Sequence, residues 1–162
     1  MILQKPFSVT QSSGADAATE SILATNIQPG VTFGAWRPTY IEFTIAPNLL
    51  KAWAAADADM TIQFTKRSLA GAIARIVTYA DTDLIASISL AAVASGTAAN
   101  LAIVDATYFV ALPPGLTIYS ENIYVQVIST GTGQANIVWG RILYDLVTLS
   151  QAEALAVVAS RP

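Results

Sequence analysis

Residues 59–67, DMTIQFTKR, alternate without a break: Met60, Ile62 and Phe64 fall on one side, and Thr61, Gln63 and Thr65 on the other. A period of two marks a β-strand with one face in a core, and it recurs down the chain. TYIEFTI (39–45) sets Ile41, Phe43 and Ile45 against Glu42 and Thr44, with Tyr40 on the polar side, where an amphipathic ring is tolerated. Further apolar runs stand at 73–79, 84–90, 101–111, 116–119, 123–128 and 137–149. Turn chemistry separates them at 80–83, 95–100, 113–115 (Pro-Pro-Gly), 120–122 and 130–133. Eight or so strands with breaks about every ten residues predict an all-β sandwich or barrel.

Two short helices decorate this pattern. PNLLKAWAAAD (47–57) has a capping Asn48 and places Leu49, Leu50 and Trp53 on one edge. The second begins at Ser150-Gln151-Ala152-Glu153, a capping box in which the Ser hydroxyl takes the Glu153 amide and the Glu reaches back. Residues 1–35 are rich in Ser, Thr, Gly, Ala and Asn and poor in periodicity. They read as an N-terminal arm or loop region, with a short helical turn near 17–23. The division is then an arm (1–35), a sandwich (36–149) and a terminal helix with its tail (150–162), in one domain's length of chain.

The final strand raises the question of what covers it. Val138, Ile142, Tyr144 and Leu146 form one apolar side, the expected core face. The other side carries Trp139, Arg141, Leu143, Asp145 and Val147, a mixture of large apolar groups and two charges that suits an interface. Leu155 and Val158 give the terminal helix an apolar side as well, and a helix of about nine residues is unstable alone. It must dock on its own sandwich or on a neighbour. The candidate interface set is therefore Trp139, Arg141, Leu143, Asp145, Leu155 and Val158.

Composition sharpens this. Hydrophobic residues make up 54% of the chain and charged ones 12%, against about 25% charged in an average globular protein. So little charge leaves apolar surface to be hidden in an oligomer, in a membrane, or behind neutral side chains. Residues 84–104 are uncharged and long enough to span a bilayer, but their centre, Ser95-Gly96-Thr97-Ala98-Ala99-Asn100, is turn chemistry and favours strand–turn–strand. The first 20 residues have no basic start followed by an apolar run, so no signal peptide is read there.

Most catalytic constellations are excluded by absence. With no His and no Cys, neither Ser-His-Asp nor Cys-His machinery can be assembled, and His-based metal sites are impossible. Asp57, Asp59, Asp81 and Asp83 are weak Ca²⁺ candidates as alternate carboxylates, although Asp is common wherever chains turn. The net charge of −3 and a single cation, Lys5, in the first 35 residues argue against nucleic acid. Lys66, Arg67 and Arg75 are the densest positive feature, and they read as charges closing strands. Trp36, Trp53 and Trp139 are either sugar-stacking platforms or core and interface anchors, the latter being commoner.

WGRILYDLVTLS (139–150) resembles the last strand of viral single jelly-roll capsid (coat) proteins of tailless icosahedral viruses and phages. Gly140, Ile142, Tyr144, Leu146 and Leu149-Ser150 occupy the matching places. The preceding IYVQVISTGTGQANIV and LPPGLTIYSENIYVQV are similar to the strands and loops that come before it. The resemblance covers about 35 of the 162 residues. It implies an eight-stranded antiparallel jelly-roll sandwich with two short helices, acting as a structural virion protein that self-assembles through lateral contacts. It also implies no catalysis and no cofactor. Partners would be further copies of the chain and other virion proteins, in a virion assembled in the host cytoplasm. Many such proteins carry a basic arm, which this chain lacks; that favours weak nucleic-acid binding and a shell around a membrane or a genome condensed by another protein. Two alternatives stand beside it: a phage decoration protein bound to another capsid, and a carbohydrate-binding sandwich using Trp36 or Trp139.

Overall fold

The fold was analysed in a computed structural model, and the description covers residues 2–11, 16–45, 58–69, 82–92, 107–130 and 136–159. Among these residues eight strands and one helix follow in order: β1 (Leu3–Gln11), β2 (Asp16–Ala24), β3 (Gly34–Ile45), β4 (Ala58–Thr65), β5 (Leu84–Ala92), β6 (Thr107–Ala111), β7 (Asn122–Thr130), β8 (Asn136–Thr148) and α1 (Gln151–Ala159). They form two four-stranded sheets with the orders β1-β8-β3-β6 and β2-β7-β4-β5, and every pairing is antiparallel.

The pairings have a simple logic. β1 lies with β8, β2 with β7, β3 with β6 and β4 with β5. The chain is thus a long two-stranded ribbon whose arms converge at β4 and β5. Two further pairings, β3 with β8 and β4 with β7, join the coils of the ribbon into sheets.

The inward faces supply the core. Phe7 of β1 meets Phe64 of β4 edge to face, with ring centroids 5.3 Å apart, which ties one sheet to the other. Phe43 stacks on Tyr108 at 5.1 Å and Trp36 on Tyr144 at 3.8 Å. Between Phe7 and Phe43, in register with both, sits Gly140. A Cβ there would strike the Glu42 carbonyl oxygen and lie 2.6 Å from the Phe43 Cα. Two aromatic side chains flank a backbone that has none, so β3 and β8 approach more closely than a side chain permits.

The far side of β4 is polar and yet enclosed. Thr61, Gln63 and Thr65 are fully buried, as is Gln126 of β7. Groups like these need partners when water is excluded. Gln126 Nε2 donates to Glu20 Oε2 at 2.8 Å and to Thr65 Oγ1 at 2.9 Å. The Glu20 carboxylate also accepts from the Ser68 hydroxyl at 2.5 Å and the Leu69 amide at 2.7 Å. Burial pushes the Glu20 carboxyl up, but bonds from Gln126, Ser68 and Leu69 outweigh it and hold the group below the ordinary carboxylate value.

Several sequence expectations need correction. Residues 1–35 are not an arm: they contain β1 and β2, each integral to a sheet, and 17–23 is strand rather than helical turn. These are edge strands, with no neighbouring strand on one flank among the described residues, so Pro6 and Lys5 are tolerated and a full apolar alternation is unnecessary. Residues 116–119 form no strand; they contribute one bridge, Ile118 to Trp36. Leu146, expected in the core, is 59% exposed. β1 runs out opposite Tyr144, so Leu146 has a neighbouring strand on one flank alone. Val147, expected on the outer side, is instead packed against the core, and its partner Ala35 is buried.

The terminal helix accounts for that last reversal. Its capping box is formed: the Glu153 amide donates to Ser150 Oγ at 3.3 Å and the Ser150 amide to Glu153 Oε2 at 2.7 Å. Those bonds from Ser150 and the charge of Arg37 hold the Glu153 carboxyl below its ordinary value against a small desolvation. Ala154 is buried and Val157 packs against the core. The second apolar face of the β8 end is therefore covered within the chain. The helix expected at 47–57 and the strand at 73–79 lie outside the described residues.

Candidate functional site

The outward face of the β1-β8-β3-β6 sheet is built in rows, because directly paired residues share a face. One row runs Gln4, Leu143, Tyr40, Ala111; the next Pro6, Arg141, Glu42, Phe109; the third Ser8, Trp139, Thr44, Thr107. Trp139 stands between Ser8 and Thr44, neighbours too short to cover an indole, and is 52% exposed. Beside it opens a groove of about 470 Å³ lined by Trp139, Arg141, Glu42, Gln4, Thr44 and Thr107, among others.

The polar wall of the groove is already organised. Arg141 Nε donates to Glu42 Oε2 at 2.7 Å, an ion pair directly across the two strands, and Arg141 Nη1 donates to Gln4 Oε1 at 2.8 Å. The Thr44 and Thr107 hydroxyls lie 3.4 Å apart. Two more aromatic rings, Phe109 and Tyr40, are exposed on the same face.

A second exposed cluster lies at the other end of β8. Leu149 donates its amide to the Phe33 carbonyl at 2.8 Å, which brings the 31–33 turn beside the start of α1. Val31, Phe33, Leu146, Leu155 and Val158 are all exposed around this end. Seven residues of strand, roughly 23 Å at 3.3 Å per residue, separate Trp139 from Leu146. The six interface candidates thus divide: Trp139 and Arg141 belong to the groove face, and Leu155 and Val158 to the apolar end. Leu143 and Asp145 stand half-buried between, Asp145 opposite Arg37.

The remaining candidates fare differently. Trp36 is buried against Tyr144 and Ile118, so no ligand reaches it, and of these two Trp139 keeps the platform role; Trp53 lies outside the described residues. Asp57 and Asp81 also lie outside them. Asp59 is the second residue of β4, whereas Asp83 sits beyond its far end, paired to Arg67 at 3.0 Å. Among the described residues no group of three or more acidic side chains is placed to hold a metal ion. Lys66 donates Nζ to the Thr82 carbonyl at 2.8 Å. Both Lys66 and Arg67 therefore bind the segment that leads into β5. Among the described residues no helix is long and apolar enough to cross a membrane, and residues 84–92 of the uncharged stretch are β5.

Sequence reasoning missed the Glu42–Arg141–Gln4 wall. Its members are 99 and 137 residues apart, and only strand register, which no local pattern encodes, brings them together. No protein-family model matches the chain, and no curated protein matches it either.

Proposed function

We propose that the two sheets form a jelly roll and that the protein is a structural shell subunit, assembling with copies of itself into a capsid through lateral contacts. The ribbon pairing of β1 with β8, β2 with β7, β3 with β6 and β4 with β5 supports the fold reading, since a coiled antiparallel ribbon makes the double-sheet jelly roll. Fold alone does not imply function. The observation that carries the shell reading is the apolar end of the sandwich.

Val31 is 75% exposed, Leu155 62% and Leu146 59%. A cluster of this kind on a weakly charged chain marks a contact surface. It is remote from the groove face, and a patch of this kind that seats on a different surface of the next copy makes heterologous contacts, which propagate into rings and shells instead of stopping at a dimer. In this reading Leu155 and Val158 seat on the neighbouring copy, with Leu146 beside them. Partners are other copies and other virion proteins, and the location is the virion.

Sedimentation and negative-stain microscopy test this directly. The wild-type chain should form particles or large oligomers at micromolar concentration. A Leu155→Asp, Val158→Asp double variant should keep its strand signal in circular dichroism while sedimenting as a 17 kDa species. A monomeric wild type would sink the shell reading. A small closed oligomer that never grows would instead fit a decoration protein.

A further inference from the structure

We infer that the groove beside Trp139 is a saccharide-binding site that takes a pyranose against the indole. This does not rest on the shell reading, because the residues involved lie at the opposite end of β8 from the apolar cluster. An exposed indole offers a flat face of negative potential, which attracts the slightly positive axial C–H groups of a sugar ring. What distinguishes the groove from a bare aromatic patch is the wall facing it.

Arg141 carries five N–H donors, of which two are spent on Glu42 and Gln4, leaving three. Glu42 keeps Oε1, and Gln4 keeps its amide nitrogen. Donors and acceptors thus stand side by side on planar groups whose orientation is fixed by their mutual bonds. Vicinal sugar hydroxyls donate and accept at once, so they match such an array. The Thr44 and Thr107 hydroxyls add a polar lining. A volume of about 470 Å³ sits within the range of small-ligand sites.

A protein surface is a poorer occupant. It would strip water from the Arg141–Glu42 ion pair, and such desolvation is costly without replacement hydrogen bonds. A sugar brings those bonds with it.

The test is titration of the intact protein with methyl glycosides of glucose, galactose, mannose and N-acetylglucosamine, followed by a glycan array. Binding should be saturable by saturation-transfer NMR and should change indole emission. Trp139→Ala should abolish it, and Arg141→Met should weaken it at least tenfold, with circular dichroism unchanged in both. The Leu155→Asp, Val158→Asp variant should bind as the wild type does, which separates this outcome from assembly. No saturable binding across the array, in assembled and dispersed protein alike, would overturn the inference. So would dissociation of the assemblies by Trp139→Ala, which would assign the face to a second copy of the chain.

Discussion

Replacing Gly140 by Ala should be among the most damaging single-methyl changes available in this chain. The added Cβ would sit 2.6 Å from the Phe43 Cα and 2.7 Å from its Cβ, and it would overlap the Glu42 carbonyl oxygen. Ordinary contact begins near 3.4 Å, so β3 and β8 must part by about 0.8 Å at this point. The obstacles are backbone atoms, which cannot rotate away as a side chain tip can. Stretching ladder bonds from about 2.9 Å by that amount takes them beyond useful geometry. Two such bonds lost at about 1 kcal/mol each, with about 1–2 kcal/mol of overpacking strain, give a cost of about 3–4 kcal/mol. For a domain of this size that corresponds to roughly 6–16 °C in melting temperature.

Two other glycines serve as internal controls. Gly34, at the start of β3, has nothing within 4 Å of a built Cβ; Gly34→Ala should be neutral or stabilise by up to about 1 kcal/mol by restricting the unfolded chain. Gly115 has equally open space but a φ of +83°, so Gly115→Ala should cost about 1 kcal/mol through backbone strain alone. Thermal and urea unfolding of the three variants, in the dispersed background, would rank them. Equal melting temperatures for Gly140→Ala and Gly34→Ala would show that the strands are not held in close approach, and would refute the packing described around Phe7 and Phe43.

Three more outcomes are expected. Ile142→Ala, at a buried position between the sheets, should destabilise the fold by about 2–5 kcal/mol in urea titrations. Ser150→Ala should cost about 1 kcal/mol through loss of the cap, read as fraying of α1 by amide exchange. Glu20 is held below its ordinary value of 4.5, so the stability it contributes is present above that pH and lost as pH falls through the lower folded value. Acid titration of unfolding should show this slope in the wild type, and Glu20→Gln should flatten it.

The legible parts of the fold were those where apolar and polar side chains alternate. β3 alternates because one face enters the core, and β4 because its second face, although buried as well, is polar; Tyr40 keeps its outward place in β3, 37% exposed. The capping box was legible because it is local, with both partners three residues apart. β1 and β2 were hidden because edge strands need little apolar surface. LQKPFSVTQ carries a proline and a lysine, and in DAATESILA only Leu23 is a buried apolar residue among those described. The end of β8 misled for a different reason. Alternation along one strand says nothing of where its neighbours stop, and it is the early end of β1 that exposes Leu146, while α1 turns the opposite face inward. Likewise Trp36 and Trp139 look alike in sequence, and only the Ile118 bridge and the Tyr144 ring distinguish a core residue from a platform.

The ribbon has a consequence for the order of events during synthesis. β8 is the last of the eight described strands to be made, yet it lies between β1 and β3 in its sheet. Until residues 136–148 leave the ribosome, the first and third strands have no partner between them, and the aromatic groups Phe7, Trp36 and Phe43 have no complete floor. A nascent chain grows at about 5–20 residues per second, so these hydrophobic edges wait several seconds in the open. Long-range pairings of this kind also close slowly once the chain is free. The same feature works as a timer. The apolar end proposed as a subunit contact is formed from the end of β8 and α1, so no chain can present it before β8 has been made.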